Sequence, residues 1–229
     1  MESLSQIPLF QDLPERVIER QSRRCQWRSY DANELIIDYE DDTRDVRFIM
    51  SGLVRIILRI ATGKEVILAE MKDNEFFGEI AAIDHEGRSA NVTALQKSTV
   101  CIMPQAVFVE LLENEPIINR QVMRILAGRV RYLNHRLAEH CFLQTKHRLY
   151  SELLRLSKTR SGHVGQRSIS PPPTQKDLAA RIGTRREVVS REIAKLKREG
   201  IVDKTTGALV LVDLPRLNGL ISEGWAEEL

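Results

Sequence analysis

Only three cysteines occur in the 229 residues, Cys25, Cys101 and Cys141, and they lie far apart. So few, so scattered, exclude a disulfide framework and suit a reducing compartment. They also fall short of the four ligands an iron–sulfur cluster takes. No Cys-x-x-Cys and no His-Glu-x-x-His is present. His140 and Cys141 are adjacent, which is poor geometry for two ligands from one helix face. The five histidines, His85, His135, His140, His147 and His163, therefore read as solvated or packed side chains. Neither a metal nor an enzymatic reaction is expected. Long apolar runs are missing too: no stretch of 18 apolar residues could cross a bilayer. Met1 to Phe10 has neither the basic start nor the apolar core of a signal peptide. The expectation is a cytoplasmic protein with no membrane partner.

What is present is unevenly charged. Residues 1–142 carry 18 basic against 22 acidic residues, whereas residues 143–229 carry 16 against 10. A basic C-terminal third suits a polyanion, because each neutralised phosphate releases counterions. A merely solvated basic surface fits the charge count equally well.

Residues 8–28 read as a short helix with Leu13, Val17 and Ile18 on one face. From about 33 to 103 short apolar runs alternate with turn-like clusters. The runs include Leu35-Ile36-Ile37, Phe48-Ile49-Met50, Leu53 to Ile57, Val66-Ile67-Leu68 and Val100-Cys101-Ile102; the clusters include Glu40-Asp41-Asp42 and Ala61 to Lys64. Regularly spaced short strands suggest an antiparallel jelly roll. From Glu110 to about His140 the pattern is helical. Val122, Leu126, Val130, Leu133 and Leu137 form a narrow seam, which buries little unless a second copy covers it. A helix over about 144–158 follows, then a loop over 159–173 and two short helices broken at Gly183. A hairpin over 201–212 turns at Thr205-Thr206-Gly207. The fold class is α+β. Three parts are expected: 1–115, a long dimerisation helix with its hinge over 116–141, and 142–229, with the domain boundary near 138–142.

Two segments carry chemistry. In Phe76-Phe77-Gly78-Glu79-Ile80-Ala81-Ala82, Gly78 permits a close backbone approach and a short helix follows. Arg88 offers a planar fork to a phosphate and Ser89 a hydroxyl. Glu79 could accept from a ribose hydroxyl. Alone, such a set is more often a surface ion pair beside a strand turn. The second segment runs from Thr174 to Ile193. Thr174 and Asp177 form a capping-box pattern, Gly183 turns the chain, and Thr184 with Glu187 caps a second helix. Leu178, Ile182, Val188, Val189, Ile193 and Leu196 are the residues expected to hold the two helices together. Arg186, Glu187, Ser190 and Arg191 share the start of the second helix, where side chains reach base edges in a major groove.

Phe-Gly-Glu-Ile-Ala followed by Arg-Ser-Ala resembles the phosphate-binding cassette of cyclic-nucleotide-binding domains. Strands, cassette, long helix and helix-turn-helix, over about residues 7–220, resemble the catabolite activator protein family of the Crp–Fnr superfamily. That resemblance implies a β jelly-roll sensor, a dimerisation helix and a winged helix-turn-helix. It implies a homodimeric transcription regulator that binds double-stranded DNA, with cyclic AMP or cyclic GMP as effector and RNA polymerase as a further partner. The nucleotide site would comprise Gly78, Glu79, Ile80, Ala81, Arg88, Ser89, Ala90, Arg129 and Asn134, with Arg129 pairing with Glu79. The DNA site would comprise Thr184, Arg185, Arg186, Glu187, Ser190, Arg191 and Lys195. A haem or redox signal, or no ligand at all, is the alternative within the same fold. Departures are Glu40 and Asn74, where the family has glycines, and Leu133 and Asn134, where its cyclic-AMP-responsive members have hydroxyl residues that reach the base. Leu133 cannot hydrogen-bond a base, whereas Asn134 can donate and accept.

Overall fold

Adjacent residues of the N-terminal strands serve two different cores. The computed structural model describes residues 3–39, 41–59 and 65–226. Glu40 and the expected turn at Ala61 to Lys64 lie outside them. One antiparallel sheet contains β1 (Gln26–Tyr30), β3 (Val46–Ser51), β6 (Phe76–Phe77) and β8 (Ser98–Met103), in the order β1-β8-β3-β6. A second contains β2 (Leu35–Ile37), β4 (Leu53–Arg59), β5 (Glu65–Lys72) and β7 (Asn91–Ala94), in the order β2-β7-β4-β5. Ile49, Phe77 and Val100 of the first sheet pack with Ile36, Val54 and Val92 of the second. Their neighbours Phe48, Phe76 and Cys101 pack instead with Phe10, Phe108, Ile118 and Val122. A strand buried on both faces reads as a continuous apolar run, which is the pattern of Phe48-Ile49-Met50 in β3 and of Val100 to Met103 in β8.

The helices of this region are α1 (Glu15–Ser22), α2 (Glu79–Asp84), α3 (Gln105–Asn114) and the start of α4 (Pro116–Phe142). The single helix expected over 8–28 is instead two 3-10 turns, Leu4–Gln6 and Pro8–Phe10, followed by α1 and then β1. Pro8 and Pro14 stand at helix starts. Proline fixes φ and lacks an N–H, so it begins helices and does not continue them. The turn at Asn74 adopts φ 72, a left-handed conformation that asparagine tolerates better than most residues.

Two compact units divide the chain, residues 1–129 and 130–229. The second holds the rest of α4, then α5 (Thr145–Leu156), β9 (Lys158–Thr159), β10 (Arg167–Ile169), α6 (Gln175–Ile182) and α7 (Arg186–Arg198). β11 (Val202–Lys204), β12 (Leu209–Leu211) and α8 (Leu214–Ala226) complete it. Its sheet runs β11-β12-β10-β9, so the segment expected as a loop over 159–173 contributes two strands. Strands of two and three residues carry no periodicity. β10 is specified by its pairing with β12, where Ile169 faces Leu209.

α4 changes surroundings along its length. Val122 is 2% exposed and belongs to the N-terminal core, and Leu126 packs partly against that core. Met123, Val130, Leu133 and Leu137 are 56, 55, 52 and 63% exposed. The expected seam is therefore corrected at its first position: Val122 leaves it and Met123 joins. The spacing 123, 126, 130, 133, 137 is then a strict alternation of three and four, the a/d pattern of a coiled coil. The division between units falls at 129 and 130. α4 runs unbroken to Phe142, and Arg136 and Glu139 are tied to α5.

Candidate functional site

β6 delivers the chain to Gly78, whose φ is 86, and α2 begins at the next residue. A Cβ at Gly78 would lie 2.7 Å from Arg88 Nη1 and 2.8 Å from the carbonyl oxygen of Asp45. Glycine is thus required both by the turn and by the approach of the arginine. Glu79 is 2% exposed. Its carboxylate accepts from Arg129 Nη1 on α4. Arg129 Nη2 donates to the Phe76 carbonyl at 2.7 Å, and the guanidinium lies 5.1 Å from the Phe76 ring centroid. Ala81 and Ala90 are buried, while Ile80 and Ser89 are exposed. Asn134 is exposed on α4 in the second unit.

Arg88 is 3% exposed. Burial pulls its guanidinium below the ordinary arginine range, Asp45 pushes it back up, and Arg47 opposes Asp45. An arginine so placed stays charged and holds its fork rigid. Thr43, Asp45 and Arg47, which surround it, carry no signal in the sequence. They lie about forty residues upstream and only the β3–β6 pairing, with Arg47 opposite Phe77, brings them to the cassette.

In the second unit Thr174 caps α6 by accepting from the Asp177 N–H at 3.0 Å. Gly183 ends that helix with φ 66. The expected cap at Thr184 is corrected: α7 starts at Arg186, its N-cap is Arg185, and no side chain caps it. Val188 is also corrected. It is 40% exposed, whereas Val189 and Leu196 are fully buried and Ile193 partly so. Val188 therefore shares the open face with Glu187 and Arg191. Arg185, Arg186, Glu187 and Arg191 are exposed, and Thr184, Ser190 and Lys195 half-buried. Among the described residues the side chains of Arg186, Glu187 and Arg191 make no hydrogen bond or ion pair. Glu192 differs, accepting from the Tyr150 hydroxyl. Burial and that carboxylate push the Tyr150 phenol well above its ordinary range. A groove beside the helix is lined by Thr174, Gln175, Lys176, Arg186 and Lys204.

Residues 27–115 match the cyclic nucleotide-binding domain family, and residues 147–220 match the Crp-like helix-turn-helix domain. The chain belongs to the Crp–Fnr superfamily. It is 25% identical over 219 residues to a CRP-like cAMP-activated global transcriptional regulator of Mycobacterium tuberculosis, covering 94% of this chain and 97% of the relative. To the cyclic AMP receptor protein of Thermus thermophilus it is 28% identical over 195 residues, 85% of this chain and 88% of the relative. Among solved structures it is similar to the c-di-GMP responsive global regulator CLP of Xanthomonas campestris. There the TM-score is 0.74 at 21% identity, covering 86% of this chain and 99% of that one. A likeness at that identity speaks for the fold.

In this Crp–Fnr chain the end of α4 is bolted to the helix-turn-helix by buried charge. Glu152 is fully buried and receives Arg136, Arg155 and, at 3.6 Å, Arg181. Glu139, 2% exposed, receives Arg155 at 2.5 Å. Arg136 also donates to the Arg181 carbonyl in α6. Removing one member of such a set strands a buried charge, typically at a cost of about 3–5 kcal/mol.

The cassette itself yields a sharp expectation. Gly78→Ala should lower the unfolding free energy by more than the roughly 1–2 kcal/mol of a left-handed L-residue, because the new methyl also meets the Asp45 carbonyl. Urea denaturation measures it. A loss below about 1 kcal/mol would show that the turn relaxes freely.

Proposed function

We propose that this regulator binds cyclic AMP or cyclic GMP at the cassette and, as a cytoplasmic homodimer, binds a pseudo-palindromic DNA site. The observation that carries the reading is the Glu79–Arg129 pair, which joins the cassette to α4. Arg88 and Ser89 receive the phosphate and Glu79 the ribose hydroxyl. Gly78, Ile80, Ala81 and Ala90 shape the seat. Base choice falls to Asn134, since Leu133 offers only apolar contact. A nucleotide hydroxyl donating to Glu79 competes with Arg129 for the same carboxylate, and Arg129 is the last residue of its unit. A ligand that prefers one state of that pair biases α4 and the unit beyond it. RNA polymerase is the partner on the output side.

Arg88→Ala should weaken nucleotide binding about 10- to 100-fold, the scale of a hydrogen bond to a charged group. It should also remove the nucleotide dependence of a DNA gel shift. Wild-type protein whose gel shift ignores both nucleotides would refute the reading.

The homodimer rests on the stripe Met123, Leu126, Val130, Leu133 and Leu137. Leu137→Glu places a charge against its own copy, and light scattering at micromolar concentration should then report a monomer where wild type is a dimer. A monomeric wild type would rule the stripe out as an interface.

On DNA, half-sites about one helical turn apart, roughly 34–36 Å, fit a two-fold reader. Arg186 and Arg191 suit guanine and Glu187 suits cytosine; the exposed Val188 suits a thymine methyl. Arg185, Thr184, Ser190 and Lys195 flank them. Selection from random DNA should give a symmetric consensus, and Glu187→Ala should relax one base pair per half-site by about 1–3 kcal/mol. An identical consensus from the variant would show that Glu187 does not read a base.

A further inference from the structure

Among the described residues, four of the five N–H groups of the Arg88 guanidinium find acceptors. On the inner edge Nη1 donates to the Gly78 carbonyl at 3.1 Å and Nη2 to the Asp45 carbonyl at 3.0 Å. On the outer edge Nε and Nη2 converge on one atom, Thr43 Oγ1, at 3.3 and 3.0 Å. The Nε/Nη2 edge is one of the two-pronged faces by which arginine takes an oxyanion. The Thr43 hydroxyl oxygen thus stands where a phosphate oxygen would stand.

The two edges are held with different firmness. Asp45 is clamped: Arg47 Nε donates to its Oδ2 at 2.7 Å, its Oδ1 lies 3.4 Å from Arg88 Nη2, and Arg47 itself is anchored on the Ile36 carbonyl. Arg47 is 6% exposed. Thr43 is exposed, and its backbone is steadied by an N–H donated to Asp41 Oδ1 at 3.1 Å. A neutral hydroxyl on a solvent-facing loop is the member an anion displaces; two backbone carbonyls are not.

We propose that Thr43 is an internal competitor for the ligand's phosphate and so sets the affinity of the nucleotide site. The inference rests on reading Arg88 as the phosphate-binding residue. In the free protein Thr43 keeps the buried guanidinium satisfied, which favours the empty site. On binding, phosphate replaces the hydroxyl on the outer edge while the inner edge keeps Arg88 in place. Because the cyclic phosphate is common to both nucleotides, the competition lowers both affinities alike and leaves the choice of base untouched.

Calorimetry with cyclic AMP and with cyclic GMP on wild type, Thr43→Val, Thr43→Ala, Thr43→Ser and Arg88→Ala tests this, together with the melting temperature of each free protein. Thr43→Val and Thr43→Ala should bind both nucleotides about 3- to 10-fold more tightly, as expected when a modest hydrogen bond to a charge no longer has to be exchanged. Their ratio of affinities should match wild type, and their free proteins should melt at a lower temperature. Thr43→Ser, which keeps the hydroxyl, should behave as wild type. A purely structural Thr43 would lower melting temperature and affinity together, and that result overturns the proposal. Unchanged affinity in Thr43→Val, with wild type binding and Arg88→Ala not, overturns the competitor and leaves the phosphate reading standing. Wild type that binds neither nucleotide removes both.

Discussion

A carboxylate with 2% of its surface exposed must find a cation or give up its charge, and Glu79 finds Arg129. That requirement organises the whole N-terminal unit. Glu79 opens α2 directly after the glycine turn, so the pair fixes where α2 starts. Arg129 sits on α4, so it also fixes which face of α4 meets the cassette. The same guanidinium covers the Phe76 ring, whose other contacts reach Phe48 and, through it, Phe10. One ion pair therefore joins the turn, the long helix and the aromatic part of the core. Losing Arg129 would leave the Glu79 carboxylate buried and unbalanced.

Features written in adjacent residues are legible in the sequence itself. The cassette spans residues 78–90 and the helix-turn-helix residues 174–193; both announce themselves by glycines at left-handed turns, and the second also by a capping threonine. Features that depend on distant pairing are not. Thr43, Asp45 and Arg47 look like an ordinary polar connection until β3 lies beside β6. β9 and β10 are too short for a period to show, and α8 carries two glycines, Gly219 and Gly224, which weaken its helical signal. Val122 and Met123 are neighbours on one helix, and periodicity alone cannot decide which of them the sheet will claim. Val188 and Val189 pose the same problem on α7, where burial selects Val189.

Two kinds of surface divide the work in the second unit. Glu192 is spent on Tyr150 and Glu152 on three arginines, so these carboxylates hold the unit together. Glu187 and its flanking arginines stay open to solvent with no internal partner among the described residues. An exposed charge with no internal commitment can meet a partner without first breaking a bond, which makes its desolvation the main cost.

The Glu139–Glu152 network sets where the molecule can be cut. Arg136 and Glu139 belong to α4 by chain order but to α5 and α6 by charge. A chimera that joins a foreign sensor at the end of α4, after Phe142, would take Arg136 away from Glu152 and leave a fully buried carboxylate short of one of its arginines. The transplantable unit is longer than the helix-turn-helix that sequence comparison delimits: it must carry its own last turns of α4, from before Arg136, as an inseparable handle.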